Sequence, residues 1–429
     1  MRFKTWALGL SVATAALLTA CGGGSDSSSA QMRLLNASIG YAALDMAVDS
    51  TTVNSGVAYA GVGSYADVKT DATGTEVQSN NVGSTLASST PTLAAGSHYT
   101  MIAYGSAGSV RTTLLQEDQD AAATGKSKLL VLNLAPDAGA LDVYVTGADD
   151  SLDTASTVAS GIATSSGSGY ITLNSGTFRV RITAASSKTD LRLDIPSITL
   201  PSAGVSTLIL TGSTGGVLVN GIQLLQQGAT SNFPNSTVRA RLVAAVGGSA
   251  LVSGSIGQTS LMPTSVAPTI GDYTTVAAGT ADLSVYVNGA LMSFTKPPLT
   301  AGSDYTLMVW GTAADPKLAV LTDDNRLPTS PTTTAKIRLV NGVASATTGL
   351  TLNVDYSALA SNVVAGTSSS PQATAASTSA LLTVTSPSST TPVYSLSELS
   401  IQAGYVYTVF VMGDSNAMVG SLRRERSSN

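Results

Sequence analysis

One strand-like segment occurs four times in this chain, and its spacing limits what the chain can fold into. The copies are LAAGSHYTMIAYG (93–105), LPSAGVSTLILTG (200–212), LTAGSDYTLMVWG (299–311) and IQAGYVYTVFVMG (401–413). The first glycines that they share are Gly96, Gly204, Gly302 and Gly404, which are 108, 98 and 102 residues apart. Solenoid repeats have periods of about 20–50 residues, so these units are whole domains. The sequence therefore predicts four homologous domains in tandem.

The recognisable segments of each copy are typical of β structure. The stretch LDVYVT (141–146) alternates large apolar residues with others, as a half-buried strand does. A second recurrent segment opens each copy: MRLLNAS (32–38), LLVLNLA (129–135), VRARLVAA (238–245) and IRLVNGV (337–343). About seven short strands in roughly 100 residues, without a helical apolar stripe, indicate an immunoglobulin-like sandwich. The predicted fold class is all-β, with tandem immunoglobulin-like β-sandwich domains in a semi-rigid string.

A tyrosine follows the first glycine of the repeated segment in three copies. Tyr99, Tyr305 and Tyr407 each lie three residues after that glycine, whereas the shorter second copy has Thr207. A Tyr just after a turn resembles the tyrosine corner of sandwich folds, whose hydroxyl bonds back to the loop backbone. The glycine itself suits a turn residue with positive φ. Both features indicate a structural role.

The N-terminus carries an export signal. Arg2 and Lys4 precede an apolar run that ends near Leu18, too short to span a bilayer and typical of a signal peptide. The following LTAC (18–21) resembles the lipobox of bacterial lipoproteins. That resemblance implies cleavage before Cys21 and a diacylglycerol on its thiol, which would anchor the protein in the envelope membrane. Gly22, and not Asp, after the cysteine implies the outer membrane; an ordinary signal peptide with a chance Cys is the alternative.

Boundaries between the predicted units follow from composition. The prediction is a lipoprotein signal peptide at 1–20, a Gly/Ser tether at 21–30, and β-sandwiches at 31–121, 126–228, 236–328 and 334–429. The junctions at 116–127, 228–236 and 326–335 are short and rich in Ser, Thr, Pro or charge, which predicts limited flexibility between domains. Two Ser/Thr-rich inserts, 79–91 and 366–379, are expected to be exposed loops.

The segments APDAGALDVYVTG (135–147) and LTAGSDYTLMVWG (299–311) resemble the bacterial family of unknown function numbered 4397. The resemblance extends over the mature chain, is clearest in copies one and two, and is looser in copies three and four. It implies an exported, lipid-anchored envelope protein built of β-sandwiches. The family's motifs carry no established active site, so the resemblance transfers no functional residues.

Composition excludes much chemistry. The chain has one His and one Cys, which leaves no base for a nucleophilic triad beyond His98 and no ligand set for zinc. His98 lies in a turn where other copies have Asp304 and Val406, so we interpret it as solvated. Glu occurs only four times, and the net charge of −5 offers no footprint for nucleic acid. We expect no enzyme activity and no cofactor.

Three acidic groups could ligate calcium, which prefers carboxylate and carbonyl oxygens. They are Glu117, Asp118 and Asp120 at the first junction, Asp149, Asp150 and Asp153 in a loop, and Asp323, Asp324 and Asn325 at the third junction. The weak candidates are Asp118, Asp120, Asp323 and Asp324. None of the groups matches a D-x-D-x-D-G loop, so solvated loop charge is the favoured interpretation.

Two further features could contact ligands. Trp310 could form a sugar platform, but Tyr104, Thr211 and Met412 occupy the same position in other copies, which favours packing. Arg423, Arg424 and Arg426 could touch anionic envelope polymers, although a frayed tail is the simpler interpretation.

Together these features predict a lipid-anchored cell-envelope protein, facing the periplasm or the surface. It would have a non-catalytic adhesion, scaffold or surface-binding role, with the membrane and an envelope protein or glycan as partners. The alternative is a periplasmic or surface glycan-binding lipoprotein, in which Trp310 or tyrosines would line a groove.

Overall fold

The computed structural model describes residues 28–329, 332–344 and 348–426. Over these ranges the chain forms β-strands joined by turns and loops, with no α-helix. No helix in this described part is long and apolar enough to cross a bilayer. The predicted fold class, all-β tandem immunoglobulin-like sandwiches, is confirmed.

Sandwich 1 consists of two four-stranded sheets. Its strands are β1 (Ser29–Ser38), β2 (Ala43–Val48), β3 (Thr51–Ala58), β4 (Ala66–Lys69), β5 (Thr75–Ser79), β6 (Thr85–Ser89), β7 (His98–Gly105) and β8 (Arg111–Gln116). The sheet orders are β4-β1-β7-β8 and β3-β2-β5-β6. Strand β6 lies in the insert 79–91, which was expected to be a loop. Its residues pair with β5 as a sheet edge, which needs little apolar side chain.

Sandwich 2 has a five-stranded and a four-stranded sheet. Its strands are β9 (Lys126–Leu134), β10 (Leu141–Thr146), β11 (Ala159–Ile162), β12 (Ser166–Asn174), β13 (Gly176–Ala184), β14 (Leu191–Leu200), β15 (Gly204–Gly212), β16 (Val219–Leu225) and β17 (Thr230–Phe233). The orders are β12-β9-β15-β16-β17 and β11-β10-β13-β14. The edge strand β17 lies within the stretch 228–236 that composition suggests as a junction.

Sandwich 3 has the same two main sheets with short additional strands. Its strands are β18 (Thr237–Ala244), β19 (Leu251–Ile256), β20 (Thr259–Val266), β21 (Thr269–Ile270), β22 (Thr274–Ala277), β23 (Gly279–Thr280), β24 (Leu283–Val287), β25 (Ala290–Leu291), β26 (Pro298–Leu299), β27 (Asp304–Gly311) and β28 (Pro316–Asp323). One sheet is β21-β18-β27-β28, with β22 also on β18, and the other is β20-β19-β24-β25. Strands β23 and β26 pair separately.

Sandwich 4 ends the described chain. Its strands are β29 (Thr334–Ala344), β30 (Leu350–Val354), β31 (Ser357–Val363), β32 (Thr367–Ser368), β33 (Gln372–Ala375), β34 (Ser377–Thr385), β35 (Tyr394–Ile401), β36 (Val406–Asp414) and β37 (Ala417–Arg426). The sheets are β32-β29-β36-β37, with β33 also on β29, and β31-β30-β34-β35. The insert 366–379, expected to be a loop, contributes β32, β33 and the start of β34.

The two recurrent sequence segments are neighbours in every sandwich. The opening strand pairs in parallel with the strand of the repeated segment: β1 with β7, β9 with β15, β18 with β27, and β29 with β36. The other pairs in these sheets are antiparallel. The two recurrent segments of each copy therefore form one central parallel strand pair.

The turn chemistry of the repeated segment is as predicted in three copies. Gly96, Gly302 and Gly404 have φ of +72°, +74° and +78°, which an L-residue adopts only with strain. The shorter second copy differs, because Ala203 takes the positive φ of 56° in place of Gly204.

The tyrosine corners are confirmed. The hydroxyls of Tyr99 and Tyr305 accept the backbone N–H of the residue five positions earlier at 3.0 Å, and that of Tyr407 does so at 3.2 Å. Each tyrosine therefore closes the turn that precedes its own strand.

Sandwiches 1 and 2 pack sheet against sheet. The side chains of Leu35 and Ile102 lie with Leu130, Ile209 and Ile222 in one buried apolar cluster that spans both domains. Polar contacts border it, including a hydrogen bond of 2.7 Å from the Thr230 hydroxyl to the Ala60 carbonyl. The first two sandwiches therefore share a buried interface.

Sandwiches 3 and 4 pack through the equivalent faces. Val243 and Met308 lie against Val340 and Phe410, all of them 0% exposed. Gly342 lets the two sheets approach closely, since a Cβ there would lie 2.5 Å from the Ala245 Cβ. The short junctions predicted limited flexibility between domains, but they did not indicate that the sandwiches pack against each other in pairs.

Polar contacts join the two packed pairs. The Gly215 N–H donates to the Gly302 carbonyl at 2.8 Å, and the Leu327 N–H donates to Asp137 Oδ1 at 2.7 Å. The guanidinium of Arg426, at the end of β37, donates to the Gly216 carbonyl at 3.1 Å. The tandem string is thus folded back so that sandwich 2 contacts both sandwich 3 and the C-terminal strand.

Candidate functional site

An arginine and a threonine face each other in three of the four central strand pairs. The pairs are Arg33 with Thr100, Arg241 with Thr306, and Arg338 with Thr408, at equivalent positions of the parallel register. In each, arginine Nε donates to threonine Oγ1 at 2.9, 2.9 and 3.0 Å. All six side chains are buried on the face that meets the neighbouring sandwich.

An acidic residue at one equivalent position completes each group. It directly follows the residue that pairs with the corner tyrosine on the adjacent strand, which places Glu117, Asp323 and Glu425 in the same role. We call each set, Arg33/Thr100/Glu117, Arg241/Thr306/Asp323 and Arg338/Thr408/Glu425, an interface triad.

In sandwiches 3 and 4, the arginine of each triad pairs with the acidic residue of the other sandwich's triad. Arg241 donates to both carboxylate oxygens of Glu425, at 2.9 and 2.7 Å. In return, Arg338 Nη1 lies 2.7 Å from Asp323 Oδ1. Each arginine is thus neutralised mainly by the acid of the other domain, so the two sandwiches are joined by reciprocal buried ion pairs.

The environment of Asp323 shows how the exchange is stabilised. Burial opposes ionisation, but the guanidinium groups of Arg338 and Arg241 outweigh it and hold the pKa of Asp323 below its ordinary value. The Thr306 and Tyr273 hydroxyls both donate to Asp323 Oδ2, at 2.6 and 2.5 Å. Burial, followed by the charge of Asp323, raises the pKa of Tyr273, so it stays a neutral donor. Asp323 is therefore charged, with two hydroxyl donors on Oδ2 and the Arg338 guanidinium beside Oδ1.

Sandwich 1 keeps its triad to itself and meets a neutral partner. Arg33 Nη2 donates to the two oxygens of Glu117 at 2.9 and 3.0 Å. Its Nη1 donates to the Gly228 carbonyl of sandwich 2 at 2.9 Å, and Glu117 accepts the Gln227 N–H at 2.6 Å. Sandwich 2 has Leu130 at the arginine position, opposite Thr207, and therefore offers no competing charge.

A cleft of about 610 Å³ lies where three parts of the chain meet. Sandwich 1 contributes the turn 106–109 and Arg111, and sandwich 2 contributes Asp137 with the loop at 164–165. The segment between sandwiches 3 and 4 contributes Arg326, and the start of β29 in sandwich 4 contributes Lys336. No single sandwich forms this cleft, because its walls come from loops and strand ends that only the folded-back string brings together.

Charged groups around the cleft hold one another in place. Asp324 accepts two bonds from Arg326, from Nε at 2.8 Å and Nη2 at 3.1 Å, and one from Lys336 at 3.0 Å. Burial opposes its ionisation, but these cations lower the pKa of Asp324 to about 2. Burial raises the pKa of Asp137, against the opposing effects of the Leu327 N–H and of Arg426. Burial and then Arg192 lower the pKa of Arg426 to about 10.

Cys21 and the signal peptide lie outside the described residues, so their assignment stays a prediction. The first described contact is at Ser28, whose carbonyl accepts the Thr70 N–H at 2.8 Å. Strand β1 begins at Ser29, so the last two residues of the stretch 21–30 predicted as a tether belong to sandwich 1.

Three of the four weak calcium candidates have carboxylates that contact protein groups. Asp323 and Asp324 bind guanidinium and ammonium groups, and Asp118 accepts the His98 N–H and contacts His98 Nδ1, both at 2.9 Å. For Asp120, the backbone carbonyl accepts from Lys128 at 2.8 Å. The expectation of solvated loop charge is wrong for Asp323, whose side chain is 0% exposed. Among the described residues, no group of three or more His, Cys, Asp or Glu side chains is arranged as a metal site.

Trp310 lies at the interface between sandwiches 3 and 4. Its indole ring approaches Gly366 so closely that a Cβ there would lie 2.5 Å from a ring carbon. The Lys317 ammonium lies 5.4 Å from the ring centroid. This placement favours the packing interpretation of Trp310 over the sugar-platform interpretation.

The C-terminal arginines differ from one another. Arg423 pairs with exposed Asp272 at 2.9 Å, and Arg424 lies 5.4 Å from the Tyr405 ring centroid. Arg426 reaches sandwich 2, and Glu425 completes the Arg241 pair. The expected frayed tail is therefore wrong as far as Arg426, because β37 is held by the interface.

Comparison with known families identifies the repeat. A family profile described as Domain of unknown function (DUF4397) matches residues 30–144 and 239–348, together more than half of the chain. The chain belongs to the DUF4397 family. The first DUF4397 match covers sandwich 1, β9 and most of β10, and the second covers nearly all of sandwich 3 together with β29. The expectation that copies one and two match best is therefore wrong for the second copy, which lacks the charged members of the interface triad.

Solved structures of low similarity were also found. One, provisionally described as a cell adhesion protein from Bacteroides uniformis, is 12% identical, covers 47% of this chain and 98% of its own, and has a TM-score of 0.20. Another with the same description, from Parabacteroides distasonis, is 11% identical, with coverage of 71% and 99% and a TM-score of 0.18. At these TM-scores neither supports an argument about this DUF4397 protein. A search of curated proteins found no match.

Proposed function

We propose that this DUF4397 protein is a lipid-anchored cell-envelope protein with a non-catalytic, surface-binding role, as an adhesion or scaffold module. The lipobox-like LTAC at 18–21 supports an anchor on Cys21. The Gly/Ser-rich stretch after Cys21 supports a flexible tether that holds the first sandwich clear of the outer-membrane surface. The proposal does not depend on any catalytic group.

The observation that carries the proposal is the pairing of the four sandwiches. Two apolar interfaces with buried ion pairs hold the domains in fixed positions. Domains that move independently of one another would not have such interfaces. Rigid display of loops at a distance from a membrane is what a surface-binding module requires. Rigidity also lowers the entropy that binding would otherwise lose.

Lipid attachment is tested with Cys21→Ser in a diderm host. We expect the wild-type protein to incorporate a clickable palmitate analogue and to sediment with outer membranes, whereas Cys21→Ser is unlabelled and released. Wild-type protein that is unlabelled and soluble would contradict the anchor.

Surface binding is tested separately on whole cells. Cells that display the wild-type protein should adhere to a cognate cell layer or envelope preparation more than cells expressing Cys21→Ser. Protease shaving before permeabilisation reports which leaflet exposes the protein. Equal adherence of both strains, with the wild type exposed, would contradict the surface-binding role.

A further inference from the structure

We propose that the central cleft is a binding site for a small carboxylate-bearing saccharide. The inference rests on the surface-binding role proposed above and names the ligand class of that role. It moves glycan recognition away from Trp310 and into the junction of three domains.

The position of the cleft is the first argument. Small-molecule sites occupy about 300–1,000 Å³ and occur preferentially at domain interfaces, and this cleft of about 610 Å³ meets both conditions. Its walls are loops set on rigid sheets, the arrangement in which binding residues are usually found. It would also exist only in the assembled chain.

The charge of the lining is the second argument. Arg111, Arg326 and Lys336 face the cleft, while Asp137 is the one carboxylate among its described lining residues. Asp324 holds Arg326 and Lys336 in place from outside the cleft. Asp137 already accepts the Leu327 N–H. Counting Asp324 together with Asp137, the three cations exceed the two carboxylates by one charge, which favours a carboxylate ligand.

The neutral part of the lining is the third argument. Hydroxyls of Ser106, Ser109, Thr164, Ser165 and Thr329 border the cleft, and no aromatic residue does so among the described ones. Hydroxyl side chains both donate and accept hydrogen bonds, as sugar hydroxyls do. An apolar ligand would leave these groups unpaired and would be rejected.

Size separates a saccharide from a simple ion. A water molecule occupies about 30 Å³ in the liquid, so an inorganic anion would leave most of the cleft filled with solvent. A saccharide of two or three residues with one or more carboxylates would contact both the cations and the hydroxyls. The geometry points to such an acidic oligosaccharide.

The experiment is calorimetric titration of the Cys21→Ser full chain at low ionic strength. The probes are trigalacturonate, the neutral galactose trimer and inorganic phosphate. We expect trigalacturonate to bind at least tenfold more tightly than the neutral trimer, with phosphate unable to displace it at equal concentration. Arg111→Gln and Lys336→Met should each weaken binding at least tenfold.

Matched variants separate the cleft from general charge and from misfolding. Arg423→Gln removes an exposed arginine outside the cleft and should leave the affinity unchanged. Lys336→Arg retains the charge and should bind within threefold of the wild type, and each variant should keep the wild-type melting temperature within a few degrees.

Several outcomes would overturn the inference. They are equal binding of the neutral trimer, equal binding and displacement by phosphate, loss of binding in Arg423→Gln, or no binding of trigalacturonate. If wild-type cells adhere while trigalacturonate does not bind, the ligand class is wrong and the surface-binding role stands. If neither occurs, both are wrong.

Discussion

At the scale of single residues, buried guanidinium groups stand out. The side chains of Arg241 and Arg338 are 2% and 3% exposed, and each meets the acid of the neighbouring sandwich. An ion pair of this kind is weak evidence for stability, because desolvation offsets much of the attraction. Removing only one member, however, leaves a buried charge without its partner. These residues therefore specify which sandwiches pair more than they add to total stability.

Arg338→Met should lower the free energy of unfolding by about 3 kcal/mol, because Asp323 loses its nearest cation while staying buried. Chemical denaturation measures the change. Arg423→Met removes an exposed arginine and should change it by less than about 0.5 kcal/mol. A loss in Arg338→Met no larger than in this control would show that the reciprocal pairs do not form.

Tyr305→Phe should lower the free energy of unfolding by about 1 kcal/mol, since the Thr300 N–H loses its acceptor. The matched control is Tyr356→Phe, because that tyrosine is 88% exposed and should tolerate the change. Thermal melting of both variants tests the corner. Equal melting temperatures for the two variants would show that the Tyr305 hydroxyl does not stabilise the turn.

The sequence predicted the tyrosine corners but not the interface triads. The corner tyrosines were recognisable because the turn and the strand lie next to each other in sequence. The triads were not, since Arg241 and Glu425 are far apart in the chain and meet only through the interface. Arginine at one position of three opening segments was the available signal, together with an acid at or near the end of the last strand in the same three copies.

At the scale of elements, the strand of the repeated segment is buried on both faces. In β36 eight consecutive residues are buried, and β7, β15 and β27 each have at least six in a row. A strand at a sandwich surface should alternate, so a near-continuous apolar run such as VFVM (409–412) indicates cover on both sides. That run was the sequence signal for the interfaces. It could not show which copy provides the cover.

Asp324, in the segment after β28, should make the free energy of unfolding depend on pH. The pKa of Asp324 is depressed to about 2, so its contribution is present above the unfolded value of about 4 and is lost as the pH falls toward 2. Between pH 5 and 2.5, Asp324→Asn should lose about 1–2 kcal/mol less unfolding free energy than the wild type. Denaturation across that range measures the difference.

The control for this pH series is Asp282→Asn. Asp282 forms an exposed pair with Lys296, and its side chain is 72% exposed. Between pH 5 and 2.5, Asp282→Asn should lose as much unfolding free energy as the wild type. If Asp324→Asn also follows the wild type, Asp324 is not held by Arg326 and Lys336 in solution.

At the scale of the whole molecule, charge explains which sandwiches pair. Sandwiches 3 and 4 each contribute a complete triad and exchange acids, whereas sandwich 1 meets a partner with Leu130 in place of arginine. A second complete triad opposite Arg33 would bring further buried charge to that interface. Four domains were predictable from the repeat, but the folded-back arrangement and its cleft depend on contacts between distant loops.

The most direct test of this account is the distance between sandwiches 1 and 4 in solution. Nitroxide labels can be placed at Val82→Cys and Tyr356→Cys in the Cys21→Ser background, because Val82 and Tyr356 are 78% and 88% exposed. Pulsed electron spin resonance should give one narrow distance distribution that matches the structure. A broad distribution, as independent domains on flexible junctions would produce, would contradict the account.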